Sequence, residues 1–244
     1  MITEGKRITS AVPRVLGCWI FLSSCVFSIA SESSPLKTGW ASTDITPEGS
    51  AKMRGGIKST GVPDPITAAA LVLEQSGSSE QNDKDHDAVV LVSCDLQHIT
   101  DGNRYPANTR DDVRALVIAS ISELSGEQIV LMATHTHVGP SVKSDPGYNK
   151  FASRRIADAI IQAWKRRAPG GLSYGLGHAV VGHNRIATYS DGRSRMTGSF
   201  QKGSTGKPLC SHIEGFEDHS VNLLYIWDLE KKLTHRHRAP RLRP

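Results

Sequence analysis

The chain of 244 residues has room for one large domain, or for one and part of a second. Its 38% hydrophobic and 22% charged residues are ordinary for a soluble globular protein. The net charge of +5 sits at the two ends, +2 in residues 1–30 and +4 in residues 235–244. That leaves −1 for residues 31–234, so a general electrostatic footprint for nucleic acid is absent.

Residues 1–30 read as an export signal. Lys6, Arg7 and Arg14 precede an apolar run, Val15 to Ile29, that ends in the small-residue pattern Ser28-Ile29-Ala30. Cleavage there predicts a secreted or periplasmic protein beginning at Ser31. Leu22-Ser23-Ser24-Cys25 supports a second reading, a bacterial lipobox with a lipid on Cys25. Four cysteines become two, Cys94 and Cys210, once the leader is removed. They could pair after export, but their spacing does not say that they meet.

Gly39 to Pro47 is a short strand-like stretch ended by proline. Met53-Arg54-Gly55-Gly56 is a glycine loop, either an ordinary turn or a place where backbone comes close to a ligand. Ile66 to Leu73 and Ala88 to Ser93 are strand candidates, and the polar segment Glu74 to Asp87 between them reads as a surface loop. Asp95 falls just past the second strand, where a carboxylate serves either function or a turn. Thr109-Arg110-Asp111-Asp112 resembles a capping box. It opens a helix whose Val113, Leu116, Val117, Ile121 and Leu124 recur at helical spacing, with Gly126 placed to end it.

Ile129 to Ala133 follows as a short, fully apolar strand. This strand–helix–strand order predicts a parallel pair with a right-handed crossover. Thr134-His135-Thr136-His137 comes next, then a Gly139-Pro140 stop. If the strand continues, His135 and His137 leave on one face, about 6.5 Å apart along the backbone. Two imidazoles so placed either bind a divalent metal or stand solvated at a strand end, and spacing alone leaves both open.

A second helix is expected from about Tyr148 to Arg167, with Phe151, Ile156, Ala159, Ile160, Ala163 and Trp164 buried and Pro169-Gly170-Gly171 as its stop. Short strands are expected at Leu172–Tyr174 and Ala179–Val181, followed by the polar cluster Gly182-His183-Asn184-Arg185. Residues 190–220 read as a solvated loop, although His212, Glu214, Glu217, Asp218 and His219 are metal-competent. Val221, Leu223, Tyr225 and Trp227 alternate as a half-buried strand does. The sum is an α/β domain over residues 31–234: a mixed sheet holding the parallel unit, flanked by helices, incomplete at its C-terminal end. A basic tail occupies residues 235–244.

The order of Gly39-Trp40-Ala41-Ser42-Thr43-Asp44-Ile45-Thr46-Pro47, Met53-Arg54-Gly55-Gly56, Ser93-Cys94-Asp95, Thr134-His135-Thr136-His137-Val138-Gly139-Pro140 and Asn184-Arg185 resembles the N-terminal domain of the neutral (alkaline, non-lysosomal) ceramidases. Those enzymes are zinc amidohydrolases that release a fatty acid from ceramide. The resemblance implies that His135 is a zinc ligand, that His137 is a close neighbour either supporting that ligand or facing the substrate, and that Asn184 and Arg185 line the site. It implies a ceramide-like lipid amide, or another small amide, as substrate, met at a membrane surface. The family continues to a second ligand histidine followed by proline, then to a Gly-Asp-Val-Ser element with the essential serine. This chain contains neither. Two functional expectations follow: a shortened zinc amidohydrolase with impaired catalysis, or a non-catalytic exported binding domain. His235 to Pro244, with four arginines and two prolines, cannot form the next central strand. It reads as a reading-frame shift near Thr234 or as a native tail for an acidic partner. The first reading leaves the Val221–Trp227 strand at a sheet edge.

Overall fold

The computed structural model describes residues 36–61, 64–75, 87–182, 184–196 and 209–234. The leader, His183 and the basic tail lie outside them. Nine strands and two helices follow in order: β1 (Leu36–Asp44), β2 (Thr67–Gln75), β3 (Asp87–Cys94), α1 (Thr109–Ser120), β4 (Ile129–Ala133), α2 (Pro146–Lys165), β5 (Ala168–His178), β6 (Ile186–Tyr189), β7 (Ser194–Met196), β8 (Cys210–Ile213) and β9 (Ser220–Asp228). The fold is α/β with a mixed sheet, as the sequence predicts.

The main sheet has six strands in the order β4-β3-β2-β1-β5-β9. β3 and β4 run parallel, in register from Val90 opposite Ile129 to Cys94 opposite Ala133. All other pairs in this sheet are antiparallel. The fully apolar run of β4 reads as a strand buried on both faces. Among the described residues, however, β4 stands at the end of the strand order, and only Ile129 in it is buried, while Val130 and Met132 are exposed. α1 supplies the crossover.

Both helices lie on one face of the sheet, where α2 packs on β1 and β2 and α1 packs on α2. The core is the layer between, formed by Ala41, Val72, Val90, Val92 and Ile129 from the strands and by Val113, Val117, Ile156, Ile160 and Ala163 from the helices. Along β2, buried and half-buried residues alternate from Thr67 to Glu74, the period-2 signature of a sheet covered on one side. Small side chains let α2 approach closely. A Cβ built on Gly39 would lie 2.1 Å from the carbonyl oxygen of Ala163.

Several expectations are corrected. Asn108, not Thr109, caps α1, its side chain accepting from the Asp111 amide at 3.1 Å. Thr109 is instead fully buried and donates to Asn149 Oδ1 at 2.6 Å, tying α1 to α2. Gly126 opens a 3-10 turn rather than ending the helix, which stops six residues earlier. α2 ends at Lys165, and Pro169-Gly170-Gly171 beyond it belongs to β5, which extends the short strand expected at Leu172–Tyr174 to 11 residues, while Ala179–Val181 is not a strand. Gly170 is required there because a Cβ would meet the Trp227 carbonyl oxygen at 2.5 Å. Glu74 is not loop. It lies in β2, one residue before the strand's end, almost fully buried, with Arg167 Nε at 3.1 Å and Lys37 Nζ at 3.8 Å. The polar 190–220 region contributes β7 and β8, which flank β6 in a second, three-stranded sheet.

Candidate functional site

The site is built where β3 and β4 end together. Beyond them the two chains stay paired for one more step: the Thr134 amide donates to the Cys94 carbonyl at 2.9 Å and the His135 amide to Leu96 O at 3.0 Å. His135 then adopts φ 61°, the left-handed region that side chains with a Cβ seldom enter. The strand geometry expected for His135-Thr136-His137 therefore fails, because β4 has already ended at Ala133. The two histidines meet all the same. Their Nε2 atoms lie 3.2 Å apart and their rings 4.8 Å apart, edge on. A turn, not strand alternation, brings them together.

A hydrogen bond fixes the His135 tautomer. His135 Nδ1 lies 2.9 Å from the Gln97 carbonyl oxygen, which can only accept, so the proton is on Nδ1. With the proton on Nδ1, the Nε2 of a neutral His135 ring carries a lone pair that can accept from His137 Nε2, 3.2 Å away. An imidazole held through Nδ1–H by a backbone carbonyl, with Nε2 free to accept, is in the posture of a metal-ligating histidine. His135 and His137 are both exposed.

Three further features frame the pair; of these the sequence offered only the glycine loop, as one of two readings of Met53-Arg54-Gly55-Gly56. His98 packs edge-on to His135, ring centroids 5.4 Å apart, and stacks on Tyr105 at 6.4 Å. Burial first, then the charges of Lys143 and the neighbouring histidines and Arg104, hold the His98 pKa below the usual histidine value. On the other side the glycine loop is pinned to the histidine loop. Met53 bridges Pro140, and the Ser141 amide donates to Lys52 O at 2.8 Å. Between these loops lies a cavity of about 290 Å³ lined by Met53, Ile66, Thr136, Val138 and Pro140.

Asp95 shares this rim but serves the turn reading, since its Oδ2 accepts from the Thr67 amide at 2.9 Å and the Thr67 hydroxyl at 3.2 Å. Asn184 stands at the foot of β6, where its amide donates to Glu217 Oε1 at 2.9 Å, its Oδ1 accepts from the Ile186 amide at 3.0 Å, and its Nδ2 bonds Glu214 O. Arg185 beside it is exposed. Among the described residues, no hydrogen bond, ion pair or ring contact joins Asn184 or Arg185 to His135. Glu214 is occupied by Thr188 and Ser194, whose hydroxyls lower its pKa, and Glu217 pairs with His219 at 3.2 Å. Cys94 and Cys210 are free thiols. Burial, reinforced by Asp95, pushes the Cys94 thiol up to about 12.

The fit to a divalent metal is partial. His135 and His137 offer two nitrogens at one point, but among the described residues no group of three or more histidine, cysteine, aspartate or glutamate side chains could hold an ion. No described helix is long and apolar enough to cross a membrane.

No protein-family profile matches the sequence, and no curated protein matches it. Solved structures do. Neutral ceramidase from Pseudomonas aeruginosa matches with TM-score 0.57 and 22% identity, over 83% of this chain and 31% of that one. A structure described as ceramidase complexed with C2 matches with TM-score 0.55 and 21% identity, over 82% of this chain and 30% of that one. The chain thus spans less than a third of the length of these ceramidases, and over that span it has a ceramidase-like fold.

Proposed function

We propose that this chain carries the histidine half of a zinc-dependent amidohydrolase site of the ceramidase kind, acting on a lipid amide such as an N-acylsphingosine. The observation that carries this reading is the tautomer lock. Gln97 O holds the His135 proton on Nδ1, so Nε2 points a lone pair at the spot where His137 also ends. His135 would be the ligand. Zinc, when bound there, would acidify a water and polarise an amide carbonyl. His137, with its Nε2 beside that spot, stands where a proton is given or taken at the reacting centre. Asn184 and Arg185 enter the proposal from their motif resemblance alone, as groups lining the substrate side.

Half a ligand set implies weak binding, since a catalytic zinc site ordinarily has three protein ligands. Calorimetry of zinc into the full chain should therefore show weak binding that His135→Ala abolishes. Equal binding by the variant would remove His135 from the site. N-acylsphingosine hydrolysis by this chain alone should not exceed that of the His135→Ala control. The second reading, a non-catalytic domain of the same fold, rests on the missing third ligand among the described residues, and predicts no zinc heat at all.

A further inference from the structure

The histidine pair does not stand alone on its rim. From His135 the aromatic contacts continue through His98 to Tyr105, and two cations lie against the Tyr105 ring. Lys143 Nζ lies 4.8 Å from its ring centroid and Arg104 Cζ 5.7 Å. Two positive charges gathered on one ring repel each other unless an anion joins them. Among the described residues neither forms an ion pair. The acids nearest them in sequence are committed elsewhere. Asp101 accepts from the Asn103 amide at 3.1 Å and the Asn103 side chain at 3.0 Å, and Asp145 caps α2 through the Tyr148 amide at 3.0 Å. Arg104 is exposed and Lys143 half-buried, so both can be reached from solvent while Tyr105 holds them in place.

We propose that Arg104, Tyr105 and Lys143 form an anion-recognition subsite that binds a carboxylate beside the His98–His135–His137 line. The guanidinium fork and the ammonium supply complementary donors for one carboxylate, and the stacked Tyr105 and His98 rings give an attached chain an apolar path toward His135. The assignment deepens the amidohydrolase reading, whose product is a carboxylate, and it fails separately from that reading.

Sodium octanoate titrated into the full chain by calorimetry tests it, with 1-octanol as the uncharged control and vesicles of phosphatidylglycerol or phosphatidylcholine as the surface arms. Octanoate should bind, octanol markedly less, and the affinity should fall as salt is raised. Lys143→Gln and Arg104→Gln should each weaken octanoate about fivefold, as expected for loss of one partly screened ionic contact, with unchanged melting curves. His135→Ala, which tests the metal reading, should leave octanoate binding intact. The proposal is overturned if octanoate affinity is unchanged in the double Gln variant, insensitive to salt, or lost in His135→Ala. It is equally overturned if only phosphatidylglycerol vesicles bind, which would make the patch a membrane-surface contact.

Discussion

His135 combines two roles in one position. Its backbone makes the turn out of β4 with φ 61°, and its side chain is anchored to Gln97 O at 2.9 Å. The two can be separated by substitution. Asparagine tolerates the left-handed region, whereas a β-branched residue does not, at a cost on the order of 1–3 kcal/mol. His135→Asn should melt close to the parent while losing zinc affinity, and His135→Val should lose zinc affinity and melt lower. Equal melting of the two variants would mean that the backbone relaxes and that the turn is not strained. This residue also marks how far the sequence could be read. The pairing of His135 with His137 is legible from their spacing, but the route is not, because nothing in Thr-His-Thr-His announces a left-handed residue. His98 was missed because its link to His135 runs between two loops that are adjacent only in the folded sheet.

At the scale of elements, the strongest constraint is the contact of α2 with β1. Gly39 faces the helix, and a Cβ there would sit 2.1 Å from Ala163 O and 3.0 Å from Arg167 Cγ. Both the strand and the helix backbone would have to move. Gly39→Ala should therefore destabilise by about 1–3 kcal/mol or more, lowering the melting temperature by roughly 2–4 °C per kcal/mol for a chain of this size. Gly171→Ala in β5 is the control, since a Cβ there meets nothing within 4 Å. If both variants melt alike, the close approach is not what holds α2. The elements most readily seen in the sequence were those with a clean period: α2, β3 and β4 lie within a few residues of expectation. β5 was not, because Pro169-Gly170-Gly171 reads as a stop by local rules. Here it is the glycine passage that lets β5 cross close to Trp227. The small sheet β7-β6-β8 was hidden by its composition, since β7 is wholly exposed and offers no hydrophobic pattern to read.

Among the described residues the helices cover one face of the main sheet, and Trp40, Leu71, Leu91, Val130 and Met132 lie on the other. This face continues onto the antiparallel β5–β9 pair through Leu172, Tyr174 and Leu224. Its register sets Tyr174 opposite Leu224 and Leu172 opposite Ile226, on one side of the ladder. Residue exposures of 40% at Val130, 45% at Met132, 62% at Tyr174 and 49% at Leu224 make this an open apolar surface, and a cavity of about 450 Å³ is hollowed into it between Trp40, Leu71, Met132, Leu224 and Ile226. Among the described residues β9 ends the strand order of the main sheet, and the segment after it folds back on it through the Trp227–Leu233 bridge and the Thr234 amide, which donates to Ile226 O at 3.0 Å. A contiguous apolar face at the end of a sheet is a site of association. The purified chain should therefore sediment as larger species as its concentration is raised, and it should bind a dye for exposed apolar surface. Leu172→Lys with Leu224→Lys places two charges on that face at positions already 44% and 49% exposed, so the fold should survive and association should weaken. A parent that stays a single small species across the same concentrations would show that this face is quiet in solution. A charged variant that associates like the parent would move the contact to the backbone edge of β9.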